Sequence, residues 1–294
     1  MKTEVLKTAG GAAFSVDVED WFHLLEVENA PAAADWDDLP SRVERGFMRL
    51  LDLFSQKGVS VTCFFLGWVA ERHPHLVREA WARGHEIGSH GHRHRLVCSM
   101  GADLFHDDAL RSRHVLEDLI GEPVRWHRAA GFSVTENAPW FFEELARTGY
   151  THDSSVFPAA HGHGGLPGAP VAPHRIATPA GKIIEFPVSV VSVLGRPLCF
   201  FGGGYLRVSP YLLVRSMARR VIAEGRPVAF YLHPREVDPG HPRLPLSAKR
   251  RFKSYTCIDG TYLKVSRLLD DFPVTTFGAC LAGTSAGGAA RANA

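Results

Sequence analysis

Apolar positions along the chain change period repeatedly, and each change marks an element. Residues 13–18 form a short apolar run that ends in acids. In residues 41–57, Val43, Phe47, Leu50, Leu51 and Phe54 fall on one stripe, which predicts an amphipathic helix. Ser41 and Glu44 form a capping box at its start, and Gly58 stops it. The branched and aromatic residues 59–65 predict a strand. Residues 74–83 predict a helix with Pro74 in its first turn and Gly84 behind it. The same reading gives helices over 103–120, 139–148, 210–224 (capped by Ser209) and 261–272. Strands are expected at 85–87, 124–128, 228–232 and 274–277, with a long apolar strand at 183–193. Repeated strand–helix units predict an α/β protein with a parallel sheet, open or closed into a barrel. Two stretches interrupt the alternation. Residues 158–179, rich in Gly, Pro, Ala and His, predict a surface loop, and residues 279–294 a disordered tail.

Composition narrows the class. A chain of 294 residues with 45% hydrophobic content suffices for one large unit, expected over residues 1–278. With 33 basic and 31 acidic side chains, charge gives no argument for nucleic acid or an anionic membrane surface. No apolar run approaches the roughly 18 residues that a membrane span needs. The first eleven residues lack the apolar core of a signal peptide. Five cysteines, odd in number and without a C-x-x-C pair, read as reduced thiols, so a cytoplasmic protein is expected. Oligomeric state is left open, a homo-oligomer included.

Four segments carry candidate chemistry, each at the end of an expected strand. The run SVDVEDW at residues 15–21 sets Asp17, Glu19 and Asp20 within four positions. A polar strand terminus would look similar, but barrels place their chemistry at strand C-terminal ends. In GSHGHRH, residues 88–94, His90 and His94 lie four apart, a spacing that on a helical turn lets both grip one metal. Sixteen histidines make chance clustering a real alternative. Gly91 stands where an H-E-x-x-H zinc protease carries its Glu, so any base must come from elsewhere, the acidic run being the obvious donor. Arg128, in WHRAAGF, would hold a neighbouring base carboxylate ionised and oriented. His233, in FYLHP, supplies an ionisable group at a fourth strand end.

Taken in order, these segments resemble the NodB-homology polysaccharide deacetylases, carbohydrate esterase family 4, over about residues 14–277. The SVDVEDWFH, FGGGYLR and YLHP segments look most like its cytoplasmic-type, allantoinase-like and exopolysaccharide-locus members. The resemblance implies a distorted (β/α)7-8 barrel and an N-deacetylase acting on the acetamide of an N-acetylated amino sugar. It implies one divalent metal, zinc first, with Co2+, Ni2+, Fe2+ or Mn2+ as alternatives. Asp17 matches the family's catalytic base, His90 and His94 its metal-binding histidines, Arg128 the Arg that orients the base, and His233 the general acid. Glu19 and Asp20 both stand as the third ligand, because the family's commoner position is occupied by Val18. Trp21, Asp153, Tyr205, Arg207 and Arg235 are candidate substrate-binding residues. Tyr205 would stack on a sugar, Arg207 and Arg235 would meet an anion, and Asp153 would line the site and tune a histidine. The family's Arg-Ala-Pro-aromatic motif reads Arg128-Ala129-Ala130-Gly131 here, which should open one wall. Two other readings are a different C–N hydrolase, for an imide or ureide, and an inactive sugar-binding module.

Overall fold

The computed structural model describes residues 3–8, 10–27 and 30–283. Its strands, in chain order, are β1 (Thr3–Val5), β2 (Ala12–Val18), β3 (Thr62–Phe65), β4 (Glu86–Ser89), β5 (Trp126–His127), β6 (His152–Asp153), β7 (His174–Thr178), β8 (Gly181–Glu185), β9 (Val191–Val193), β10 (Arg196–Leu198), β11 (Val228–Leu232) and β12 (Val274–Thr275). Their order is β1-β7-β8-β6-β5-β4-β3-β2-β11, with β12 also on β2. From β11 through β2, β3, β4, β5 and β6 to β8 every pairing is parallel. This is the predicted α/β class with strands in sequential barrel order. Beyond the ladder, the segment after β8 runs beside β11: Ala229 N donates to Ser189 Oγ at 2.9 Å, and Gly202 bridges Tyr231.

Alternation along the parallel strands separates two faces. Phe14, Val16, Cys63 and Phe65 join the main core with the surrounding helices. Ala13, Phe64, Trp126 and Ala229 face inward, where Phe277 closes the stack. Asp17 and Ser15 share Ala13's parity, so β2 aims them at the interior.

Several expectations are corrected. The 183–193 strand is broken at Pro187, which cannot donate to a ladder, into β8 and the separate β9–β10 hairpin. Part of the expected 158–179 loop is strand β7, antiparallel to β8. The strand at 274–277 ends at Thr275. Thr276 then caps a helix, Phe277–Leu281, by accepting from Ala279 N at 3.1 Å. Cys280 is buried there, so helix occupies the first positions expected to be tail; residues 284–294 lie outside the described residues. Among the described residues no helix is long and apolar enough to cross a membrane.

The 41–57 helix begins at Val43, and its capping box does not form. Ser41 Oγ instead donates to Asp20 Oδ2 at 2.5 Å. Asp20 also accepts from the backbone N–H groups of Arg42 and Val43, satisfying donors that a helix start leaves free. Gly46 in this helix marks a close approach. A Cβ there would lie 2.3 Å from the Pro234 carbonyl oxygen, so the helix seats directly on the segment that follows β11. Gly46→Ala should therefore lower stability by about 1–3 kcal/mol through overpacking, against the gain an Ala normally brings to a helix. Urea unfolding checks this; an unchanged or raised midpoint would contradict the packing.

Candidate metal and acid–base site

All four sequence segments meet at the C-terminal ends of the parallel strands. Asp17 and Glu19, both buried, leave the end of β2. Arg128 follows β5, and its Nη1 donates to Asp17 Oδ1 at 2.6 Å and to Ser15 Oγ at 2.8 Å. Its Nη2 donates to Ser154 Oγ at 3.0 Å, and the guanidinium lies 4.1 Å above the Phe64 ring. Asp17 is thus a buried carboxylate with a charge-assisted partner and one fixed orientation.

His90 and His94 converge, but not on a helical turn. They flank a loop in which Gly91 (φ 75°) and His94 (φ 50°) are left-handed. Asp108 shapes it, accepting from His92 N at 2.6 Å and Arg93 N at 3.2 Å, and Gly91 O and His92 O accept from Gly67 and Trp68 N–H. The two imidazoles end with centroids 5.3 Å apart. His90 Nε2 stands 3.1 Å and His94 Nε2 2.9 Å from the same oxygen, Glu19 Oε1. One donor atom from each of the three residues lies within 4.8 Å of the others.

The hydrogen bonds define what this cluster lacks. His90 Nδ1 is 2.8 Å from the Arg128 carbonyl oxygen, which can only accept, so Nδ1 carries a proton. In a neutral ring Nε2 is then a lone pair, and it faces a carboxylate oxygen. Two acceptors at that separation require a cation between them, a proton or a metal. His94 Nε2 is buried without a hydrogen-bond donor or acceptor geometry of its own. Two imidazoles and one carboxylate, with one imidazole braced by a carbonyl, form a donor set suited to a divalent ion. Burial alone would raise the Glu19 pKa, but His94, His233 and the hydrogen bond from His90 hold it well below the usual carboxylate value. Burial pushes His94 down, whereas at His90 the charges of Asp17 and Glu19 outweigh burial and raise it.

Asp20, the other candidate ligand, is turned away into the cap described above, and its oxygens are occupied by N–H and hydroxyl donors. His233, after β11, points Nε2 into the site, 3.6 Å from Glu19 Oε1 and 4.0 Å from Asp17 Oδ2. Its Nδ1 faces Glu236 Oε2 at 3.1 Å, and Arg207 Nε donates to Glu236 Oε1 at 2.7 Å.

The substrate-contact expectations fare less well. Trp21 is buried, with Nε1 donating to Pro40 O, so it offers no sugar-stacking face. Arg207 is buried and spent on Glu236 and the carbonyls of Lys253 and Thr256, so it meets no anion. Arg235 is partly buried at the edge of the cluster, and its Nη1 donates to Glu19 Oε2 at 3.1 Å. Asp153 is fully buried and does contact a histidine, His127, at 3.2 Å, but has no surface to give a substrate. Tyr205 is 48% exposed and free to stack. Nor does Gly131 open a wall, because Leu25 Cδ1 sits 2.6 Å from where its side chain would begin. Sequence reasoning missed Glu236, Ser15 and Ser154. Glu236 left a signal, a capping-box spacing three residues after His233, and both halves of that box form.

Comparison with known proteins agrees with this architecture. Residues 27–152 match the polysaccharide deacetylase family, and residues 154–282 match a domain of unknown function, DUF3473. A peptidoglycan-N-acetylglucosamine deacetylase of Bacillus cereus is 29% identical over 84 residues, 29% of this chain and 39% of that protein. A structure from Mycobacterium smegmatis assigned as a polysaccharide deacetylase superposes with TM-score 0.60 at 20% identity, covering 92% of this chain and 87% of that one. The Puue allantoinase structure superposes with TM-score 0.57 at 17% identity, covering 90% and 84%. The fold is that of the polysaccharide deacetylases, whose solved members form a distorted barrel. Residues 27–152 are thus similar to the polysaccharide deacetylase (NodB, carbohydrate esterase family 4) domain.

Glu236 gives the site an acid signature. Burial would raise its pKa, but the hydrogen bond to His233 and the charge of Arg207 bring it from 4.5 to about 2. A carboxyl depressed in the folded state lends stability above its unfolded value and loses it as pH falls toward the folded value. Between pH 4.5 and 2, the unfolding free energy of the parent should fall more steeply than that of Glu236→Gln. Urea titrations at several pH values measure both slopes; equal slopes would contradict the assignment.

Proposed function

We propose that the protein hydrolyses the acetamide of an N-acetylated amino sugar, using one divalent metal held by Glu19, His90 and His94. The observation that carries the reading is the opposition of His90 Nε2 and Glu19 Oε1 with Nδ1 already committed to a carbonyl. The deacetylase relatives support the choice of reaction, and the exposed ring of Tyr205 supports a sugar as the group held outside the cleft.

A divalent ion at this donor set, zinc first, supplies Lewis acidity toward the acyl carbonyl and toward water. The chain's own residues do the rest. Asp17, held by Arg128, whose Nη1 also donates to Ser15, accepts the proton of the attacking water. Arg128 pairs with that carboxylate and prevents it from turning away. His233, with Nδ1 anchored on Glu236, presents Nε2 to the cleft and delivers a proton to the departing amine. Arg235 neutralises the outer oxygen of Glu19, leaving Oε1 to face the imidazoles.

Asp17→Asn should fold, retain metal and lose on the order of 10²–10⁴ in kcat for acetate release, the usual contribution of one positioned proton-transfer group. Near-normal turnover would remove Asp17 from the mechanism. Glu19→Gln should lose the metal, read by elemental analysis of the purified protein. Asp20→Asn should keep it and instead lose about 1–3 kcal/mol of stability, because three backbone donors lose their charged acceptor. Metal loss in Asp20→Asn with retention in Glu19→Gln would reverse the assignment.

A further inference from the structure

Outside the cleft, a second group of metal-ligating side chains converges on the surface. Glu44 lies in the first turn of the helix Val43–Lys57. His73 and His75 flank Pro74 at the start of the helix Pro74–Ala82. One donor atom from each of the three lies within 4.8 Å of the others. His75 Nε2 is 3.3 Å from Glu44 Oε1, and the two imidazole centroids are 6.0 Å apart. Two helices and a ring-locked proline fix the three backbones, so convergence does not depend on a mobile loop. Ser41 Oγ lies 3.2 Å from His73 Nε2, and the same hydroxyl donates to Asp20, so it can accept from that imidazole.

We propose that Glu44, His73 and His75 form a second divalent-metal site, of the borderline, imidazole-preferring class to which zinc belongs, separate from the buried cluster in the cleft. Two imidazoles and a carboxylate suit such an ion, and water would complete its coordination. Its affinity should be the weaker of the two. Glu44 and His75 are largely exposed, and the positive ends of two helix dipoles point toward the ion. The site needs no assumption about catalysis. Through Ser41 it adjoins Asp20, so an ion there rests against the cap that orders the chain directly after Glu19.

Zinc binding by the full chain tests this, with Zn2+ as the probe in equilibrium dialysis and calorimetry. The parent should bind two equivalents, one tight and one weak. His73→Ala/His75→Ala should lose the weak equivalent alone and keep its circular dichroism spectrum. His90→Ala/His94→Ala should lose the tight equivalent and keep the weak one. The exposed thiols Cys98 and Cys257 are common to all three proteins, so the differences carry the result. A weak equivalent that survives His73→Ala/His75→Ala unchanged, or a parent with none, overturns the proposal. A tight equivalent that survives His90→Ala/His94→Ala would overturn the reading of the cleft and leave the surface site standing.

Discussion

A single opposition organises the cleft: an imidazole nitrogen and a carboxylate oxygen held 3.1 Å apart in a buried place, a separation that needs a proton or a metal between them. His90 cannot relieve it by exchanging tautomers, because its other nitrogen is committed to the Arg128 carbonyl. Glu19 cannot relieve it by rotation, because Arg235 holds its second oxygen. A buried carboxylate without a compensating charge is destabilising by several kcal/mol. Around this pair, Arg128 answers Asp17, Arg207 answers Glu236, and the histidines answer what remains. The site is a set of locally balanced charges gathered around Glu19, His90 and His94.

The scaffold provides this balance by bringing strand ends together. Asp17 and Glu19 come from β2, His90 follows β4, Arg128 follows β5 and His233 follows β11, and parallel pairing sets these ends side by side. Inward parity sends Ser15 and Asp17 to the same face as Phe64, on which the Arg128 guanidinium rests. The acid side is set from further away. The helix Val43–Lys57 packs through Gly46 onto Pro234, and Arg207, from the helix Gly203–Val208, reaches Glu236 behind His233. Orientation at His233 Nε2 thus depends on groups that do not enter the cleft.

What was legible in the sequence follows from this. Strand–helix alternation announced the fold class, and acids, histidines and an arginine at strand ends are local patterns that picked out Asp17, His90, His94, Arg128 and His233, which the fold brings together. The choice between Glu19 and Asp20 was not local. It turned on Asp20 meeting the start of a helix more than twenty residues later, which also displaced the capping box expected at Ser41. Arg207 and Arg235 read as free cations because their partners, Glu236 and Glu19, are assigned only by tertiary packing. Trp21 and Asp153 read as substrate-binding residues, and tertiary packing buries both. The apolar run over 183–193 contains Pro187, a local breaker that ends the strand despite the flanking branched residues. Strand β7 was hidden by a composition of Gly, Pro and His that ordinarily marks loops.

The central claim is that a metal ion, and not a proton, occupies the space between Glu19, His90 and His94. Anomalous diffraction from crystals grown with Zn2+, recorded on both sides of the zinc absorption edge, tests it most directly. The account predicts a zinc peak at about 2.0–2.2 Å from Glu19 Oε1 and from one nitrogen of each histidine. An ordered triad with no anomalous peak there, and Glu19 bonded directly to a protonated His90, would contradict it.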